Sequence, residues 1–338
     1  MSLKSKFFSS LAHAKAIGID VSKAKLDICC LTEQSDITLE ILNDAEPIRE
    51  FVEWLVKHDY CHKIIMESTG HYHWLMAVEL SKHNLDLRLI NPLLSSKHAK
   101  AGIRKTKTDK VDAYRLATMA LTERDLPARW HKDAKWVEIR HKIGLLKQME
   151  QSIQQLKSAI SDHEEALAKI GVLEDEWLLT LKRQAFELSK VKQASEKSLT
   201  EYMHKSLSSE RQKRFQSIPG VSSYLAGLLD VFMQDGVGSV KSWVAFVGLD
   251  IGIKQSGSWQ GRSRLSKRGN AYLRKRLYQA AWGAKQNNAE FKAYYQQLRE
   301  QGRPYVECLL ILARKILRIA YNLSHKSENY IEKMWAKC

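Results

Sequence analysis

Residues 16–27, Ala-Ile-Gly-Ile-Asp-Val-Ser-Lys-Ala-Lys-Leu-Asp, decide the fold of this chain. They predict an apolar strand that delivers one carboxylate, Asp20, at its end before the chain turns back. A strand buried on both faces is normally a continuous apolar run, so an acid inside it is costly unless cations or hydrogen bonds compensate it. Taken alone, Asp20 is better interpreted as a surface acid at a strand end, and only the acids that follow change this interpretation.

The composition favours a polyanionic partner. The 338 residues give room for two or three domains, and 54 Lys and Arg against 38 Asp and Glu leave a net charge of +16. An excess of this size favours nucleic acid. Five cysteines without CxxC spacing argue against a zinc ribbon or a disulfide framework and favour a reducing cytosol. We expect no membrane partner, because no apolar run approaches the about 20 residues that a membrane span needs.

The first 125 residues predict an α/β domain. Extended segments at 15–21, 25–31 and 37–43 have short polar connectors, which is typical of an antiparallel meander. They are followed by alternating helices and strands: a helix over 46–58, a strand over 63–67, a helix over 71–83, a strand over 86–90, a helix opened by Pro92 and a capped helix from Thr106. This order is the layout of the RNase H fold, so we expect a RuvC-like domain over residues 1–125.

Four acids occupy the places where that fold gathers its carboxylates. They are Asp20 on the first strand, Glu67 at the end of the fourth, and Asp109 with Asp112 on the last helix. For the helical pair, ordinary capping and helix-dipole chemistry is the alternative. Four carboxylates in one cleft stay ionised only around cations, and hard oxygen ligands select Mg²⁺, with Mn²⁺ as the alternative. Paired metals about 3.5–4 Å apart are a standard device of phosphoryl transfer.

The remaining chain reads as helical. After a linker near 124–129, apolar residues recur in steps of three and four from Trp136 to Ile160, which is typical of a coiled coil. We interpret residues 130–215 as a coiled-coil dimerisation arm, with an intramolecular helical hairpin as the alternative. The turn Ile218-Pro-Gly-Val221 then opens a mainly α domain over 216–338. Such a turn is typical of helix-hairpin-helix elements, in which the glycine lets backbone N–H groups approach a phosphate.

Residues 250–285 carry nine basic residues against one acid, Asp250, and therefore half of the net charge of the chain. A small polar loop, Gln255-Ser-Gly-Ser258, precedes a basic helix with stacking-capable aromatic residues that begins at Ala271. We interpret this segment as a clamp on the phosphate backbone, with a solvated basic helix as the alternative. The predicted nucleic-acid-binding residues are Arg104, Lys105, Lys107, Lys254, Arg262, Arg264, Lys267, Arg268, Arg274, Lys275 and Arg276.

Five ordered motifs resemble those of the DEDD insertion-sequence transposases, the bridge-RNA-guided recombinases to which Piv-type DNA invertases are related. The motifs are Gly18-Ile-Asp20-Val-Ser-Lys23, Met66-Glu67-Ser-Thr-Gly70, Lys107-Thr-Asp109-Lys-Val-Asp112-Ala113, Ile218-Pro-Gly-Val221, and Ser256-Gly257 followed by Ser266-Lys-Arg-Gly-Asn270. They cover nearly the whole chain in the order of that family, which has a RuvC-like nuclease domain, a coiled-coil arm and a C-terminal transposase domain.

The resemblance implies a mechanism and partners. Asp20, Glu67, Asp109 and Asp112 would form the metal-binding tetrad. Ser256 would be the nucleophile that joins DNA covalently, although Ser258 and Ser263 lie near it and stay open as alternatives. The family works as a dimer of dimers, in which the serine of one protomer completes the metal site of another. A structured non-coding guide RNA pairs with double-stranded donor and target DNA. A recombinase without ATP must conserve the phosphodiester energy, which an enzyme ester does.

Three other functions remain open from the sequence. A RuvC-like structure-specific endonuclease would use metal-activated water, and Ser256 would be only a loop residue. A non-enzymatic basic DNA- or RNA-binding protein would use the acids as helix caps. An actin-like ATPase, suggested by Gly-Ile-Asp-Val-Ser-Lys, ranks lowest because we find no second phosphate loop.

Overall fold

The computed structural model of the protein describes residues 13–68, 70–92, 94–95, 109–172, 175–234, 238–252, 255–256, 259–260 and 264–331. Within these ranges, the side chains of 109–110, 251–252, 255–256, 259–260 and 264 are outside the description. The chain divides into two compact units, Met1–Val137 and Glu138–Cys338. The three-domain division at 1–125, 130–215 and 216–338 stays a prediction.

A five-stranded sheet organises the first unit. Its elements are β1 (Ala16–Val21), β2 (Lys25–Leu31), β3 (Asp36–Leu42), α1 (Ala45–Lys57), β4 (Ile64–Glu67), α2 (Trp74–Lys82), β5 (Leu87–Ile90) and α3 (Asp109–Thr122). The strand order is β3-β2-β1-β4-β5, with β1 to β3 antiparallel and β4 and β5 parallel to β1. The predicted strands are confirmed, and the topology is compatible with an RNase H-like α/β domain. The helix expected from Pro92 falls largely outside the described residues.

Apolar layers cover both faces of this sheet. Alternate residues of a strand point to opposite faces. Accordingly, Ile19 joins one cluster with Phe51 of α1, whereas Ala16 joins another with Ile65 of β4 and Leu116 of α3. All five side chains are buried. β1 is thus a central strand, as its continuous apolar run predicts.

Gly18 sets the distance between β1 and α3. A Cβ atom at this position would lie 2.1 Å from the carbonyl oxygen of Ala113 and 2.3 Å from the backbone nitrogen of Ala117. Only glycine permits this contact. Because Ala16 packs against Leu116 and Gly18 lies over Ala113, α3 runs antiparallel to β1. The first turn of α3 therefore lies beyond Gly18, in the direction of Asp20.

Helices dominate the second unit. They are α4 (Ala134–Lys169), which begins in the first unit, α5 (Glu176–Ser206), α6 (Ser209–Gln216), α7 (Ser223–Met233), α8 (Val240–Val247), α9 (Ala271–Asn287), α10 (Ala289–Glu300) and α11 (Tyr305–Ser324). Four short strands lie between α8 and α9: β6 (Ile251–Gly252) pairs with β9 (Arg264–Leu265), and β7 (Gln255–Ser256) pairs with β8 (Trp259–Gln260). The small polar loop predicted at Gln255 and Ser256 is wrong for these two residues, which lie in the paired strand β7.

The last described helix, α11, spans Tyr305–Ser324. Its apolar face is fully buried at Leu309, Leu312 and Ile316. This helix therefore closes the core of the second unit. Among the described helices, none is long and apolar enough to cross a membrane.

α4 and α5 form an antiparallel hairpin. Tyr202 donates a hydrogen bond of 2.6 Å to Glu138 near the open end of the hairpin, and Lys182 pairs with Glu164 nearer its turn. The predicted coiled-coil positions are largely buried within this one chain, for example Ile153 with 8% exposure. An intramolecular hairpin, the alternative that the sequence left open, accounts for this pattern. Dimerisation through the arm stays a prediction, and it requires another surface of the hairpin.

Candidate functional site

Asp20 is the next-to-last residue of β1 and Glu67 is the last residue of the neighbouring parallel strand β4. The register pairs Gly18 with Ile65 and Ile19 with Met66, so the next step along both strands sets Asp20 beside Glu67. Adjacent strands lie about 4.8 Å apart. Both acids are half-buried, and strand alternation puts them on the face that α3 covers. Two carboxylates therefore meet at the carboxyl end of the central strands.

Asp112 reaches the same end of the sheet from α3. Because α3 runs antiparallel to β1 and Gly18 lies over Ala113, the residues before Ala113 lie toward Asp20. Asp112 is half-buried and accepts a hydrogen bond of 2.9 Å from Nη1 of Arg115. Asp109 begins α3, but its side chain is outside the described residues.

The acids suit a divalent metal in their chemistry and in their place at the sheet edge. Carboxylate oxygens are the ligands that Mg²⁺ and Mn²⁺ prefer. Among the side chains that the structure describes, which exclude that of Asp109, no group of three His, Cys, Asp or Glu residues is arranged to hold a metal ion. Glu67 accepts a hydrogen bond of 2.5 Å from Ser95 through Oε2. A metal ion bound by Glu67 or Asp112 would compete with their contacts to Ser95 and Arg115.

Asp27 is a buried acid of this region that our sequence interpretation did not select. It lies directly opposite Asp20 across the β1–β2 pair and is 4% exposed. Nζ of Lys25 lies 3.2 Å from Asp27 and 2.8 Å from Glu40, so it bridges the two carboxylates. These hydrogen bonds, first that with Glu40 and then that with Asp27, raise the pKa of Lys25. The signal was available, since a tight turn after Val21 pairs residue 20 with residue 27.

Several candidate residues in the basic segments cannot be placed. The structure does not describe the side chains of Lys254, Ser256, Arg262 and Arg264. Three further candidates lie entirely outside the described residues: Arg104, Lys105 and Lys107. For Ser256 the structure describes the backbone alone, in β7 opposite Trp259.

Arg276 lies inside the second unit and contacts other residues of the same chain. Its side chain is 12% exposed, and its Nη2 atom donates hydrogen bonds to Glu150 at 2.9 Å, Glu196 at 3.0 Å and Tyr272 at 3.0 Å. The sequence predicted a phosphate contact, but these partners give Arg276 a structural role that joins α4, α5 and α9. Lys275 is 51% exposed and also pairs with Glu150, at 2.6 Å.

The other predicted phosphate contacts near α9 differ from one another in their exposure. Lys267 and Arg268 are exposed in the loop before α9, where a phosphate can reach them. Arg274 is half-buried, and its Nη1 atom donates to the carbonyl oxygen of Val247 at 2.7 Å. Among the basic side chains that the structure describes in this segment, Lys267 and Arg268 are therefore more accessible to a phosphate than Arg276.

Gly220, in the Ile-Pro-Gly-Val turn, is required for packing within the chain. Its φ angle is 80°, and a Cβ atom there would lie 2.1 Å from the carbonyl oxygen of Ala280 in α9. The sequence suggested that this glycine allows a phosphate to approach. The close approach that the structure shows is to a neighbouring helix.

A mixed five-stranded sheet with acids at one end, compatible with an RNase H-like domain, and a helical unit with exposed basic residues are compatible with an enzyme that cuts and joins nucleic acid. The family comparisons narrow this class. Residues 17–169 match a DEDD transposase model of the IS110 type, and residues 212–296 match the model described as transposase IS116/IS110/IS902 family. The chain belongs to this IS110-type transposase family and is a DNA recombinase.

Two curated relatives are DNA-inverting proteins. The chain is 26% identical over 322 residues to the pilin gene-inverting protein of Moraxella lacunata. The matched region covers 90% of this chain and 94% of the relative. It is likewise 26% identical over 321 residues to the pilin gene-inverting protein of Moraxella bovis, with the same coverage of 90% and 94%. Family membership implies a DNA substrate and a dependence on divalent metal.

Proposed function

We propose that this transposase cleaves and rejoins DNA through a covalent serine–phosphate ester at Ser256, with Mg²⁺ held by Asp20, Glu67, Asp109 and Asp112. The observation that carries the proposal is the β1–β4 register, which sets Asp20 beside Glu67 under α3. Mn²⁺ is the alternative ion, because it has the same preference for oxygen ligands.

The reaction conserves the phosphodiester bond. The Ser256 hydroxyl attacks the scissile phosphorus, the serine–phosphate ester forms on the 5′ side, and the bond to the 3′ oxygen breaks. That oxygen leaves as a hydroxyl with the proton that serine releases. A 3′ hydroxyl of another strand then attacks the ester and restores both the phosphodiester and the serine. Bound Mg²⁺ would supply the positive charge that activates the hydroxyl and stabilises the leaving oxygen.

The proposal extends to an oligomer and a guide RNA. Inverting a DNA segment, as the names of the two relatives state, requires cutting at both of its ends and therefore more than one reaction centre. We assign the contact between protomers in a dimer of dimers to apolar residues that stay exposed on the α4–α5 hairpin, such as Leu145 at 65% and Phe186 at 58%. A structured RNA that pairs with donor and target DNA supplies the sequence choice, and the net charge of +16 supports its binding.

A suicide DNA substrate with Mg²⁺ tests the chemistry. Denaturing electrophoresis and peptide mass spectrometry should find an adduct at Ser256 that Ser256→Ala loses and the matched control Ser258→Ala keeps. Asp20→Asn should also lose the adduct while DNA binding and folding persist. An adduct on Ser258 would move the nucleophile by two positions. Cleavage without any adduct would favour the endonuclease that uses metal-activated water.

The RNA partner has a separate test. The purified protein should carry a discrete RNA species, which sequencing would identify. DNA recombination at full rate by RNA-free protein would refute the guide.

A further inference from the structure

A cavity of about 280 Å³ in the second unit combines an apolar floor with a basic rim. The floor is formed by Tyr278 of α9, Leu265 of β9 and Leu310 of α11, all of which are half-buried. Pockets for small ligands hold about 300–1,000 Å³, so this one is just below that range. Its volume suits one flat ring system.

Three cations surround the floor. Lys267 is exposed and has a φ angle of 52°, a left-handed conformation that residues other than glycine rarely adopt. Arg274 is fixed by its hydrogen bond of 2.7 Å to the Val247 carbonyl, which uses one of the five N–H donors of a guanidinium. Lys275 is half exposed and pairs with Glu150. The rim therefore offers charge-assisted donors around an apolar hollow, which matches a nucleotide.

Tyr278 is suited to stacking on a base. Burial raises the pKa of its phenol, and the neighbouring Tyr305 and Tyr295 raise it further. The ring therefore stays neutral at physiological pH. Stacking of a base on an aromatic side chain tolerates any base, because every base has a π face.

The cavity lies at the base of the segment that carries Ser256. β9, which contributes Leu265, pairs with β6, and the chain between these two strands includes Ser256. We infer that the cavity binds one unstacked nucleotide of the DNA strand beside the cleaved phosphate, with its base on Tyr278 and its phosphate on Lys267 and Arg274. Taking a base out of the duplex costs stacking energy, which the contact with Tyr278 offsets. This inference rests on the proposed function, because it takes the reaction to occur at Ser256.

The inference can be tested with a larger side chain at an exposed position that lines the cavity. Ala271 lines the cavity and is the first residue of α9 after the cap Asn270, and Ala289 is the equally exposed first residue of α10 after the cap Asn288. Ala271→Leu should weaken binding of a labelled single-stranded thymidine homopolymer to the full chain by about 5- to 150-fold, the range for one lost stack. Ala289→Leu should leave the fluorescence anisotropy titration unchanged. Equal affinities of the two variants would overturn the inference.

Substitutions of the tyrosine give a second measurement. Tyr278→Phe should retain affinity, whereas Tyr278→Ala should lose it to the same degree as Ala271→Leu, with thermal melting as the check on folding. Binding of a uridine homopolymer, compared with that of the thymidine homopolymer, tests whether the cavity takes RNA or DNA. If only binding of the uridine homopolymer depends on Ala271, the cavity takes RNA and the assignment to DNA is wrong.

The adduct assay separates the two proposals. A protein that forms the Ser256 adduct but whose homopolymer affinity is the same in Ala271→Leu and Ala289→Leu would refute the cavity alone. A protein that shows this dependence but forms no adduct would refute the covalent mechanism and the placement of the nucleotide beside Ser256.

Discussion

Replacing Gly18 with alanine should destabilise the first unit and displace its acids. The added Cβ would lie 2.1 Å from the Ala113 carbonyl oxygen, and an ordinary contact begins at 3.4 Å, so α3 must move by about 1.3 Å. Overpacking of this kind costs about 1–3 kcal/mol, and more where backbone faces backbone. For a unit of this size, that cost lowers Tm by about 3–15 °C. A shift of about 1 Å in a catalytic group also lowers the rate by about 100-fold.

Gly144 provides the matched control. It lies in α4, is exposed, and a Cβ there would meet no atom within 4 Å among the described residues. Gly144→Ala should therefore stabilise the protein by about 0.5–1 kcal/mol, because alanine is the better helix former. Differential scanning calorimetry and a strand-cleavage assay on both variants measure the contrast. A Gly18→Ala protein that melts and cleaves like the wild type would refute the contact between β1 and α3.

Three further predictions concern the second unit. Lys267→Ala should reduce the slope of the log–log salt dependence of duplex DNA binding by about 0.9, which corresponds to one phosphate contact. Arg276→Met should leave that slope unchanged and lower the Tm. Equal slopes for both variants would contradict these assignments. Leu145→Asp with Phe186→Asp should give a folded protein of smaller oligomeric state in analytical ultracentrifugation, and sedimentation like the wild type would exclude this surface. Burial pulls the pKa of Glu150 upward, but the Lys275 hydrogen bond and the Arg276 charge outweigh it and hold that pKa below its ordinary value. The resulting stability is present above about pH 4.3 and is lost as pH falls through the lowered pKa, so acid melts should show less pH dependence in Glu150→Gln.

Local patterns in the sequence predicted the sheet well. The apolar run around Ile19 and the polar connectors fixed the antiparallel meander, because strand alternation and turn chemistry act over a few residues. The order of elements then placed Asp20 and Glu67 on neighbouring strands. The first prediction used information within single segments, and the second used only the order of those segments along the chain.

The structural role of Arg276 could not be predicted in this way. Its partners Glu150 and Glu196 lie 126 and 80 residues away in the chain, so no local pattern marks the ion pairs. A basic helix facing DNA and a basic helix facing two acidic helices have the same composition. The short strands around Ser256 were missed for a related reason, since two-residue strands are too short to show alternation.

The Gly18 contact also has a consequence for synthesis of the chain. About 95 residues separate Gly18 from Ala113, and at about 5–20 residues per second the ribosome needs about 5–20 s to make them. During that time β1 has no helix on its α3 face, so Ala16 of β1 and Ile65 of β4 lack the cover that Leu116 later gives them. The acids of the sheet can meet those of α3 only after this interval, so the nascent protein cannot assemble the proposed metal site until the first unit is nearly complete.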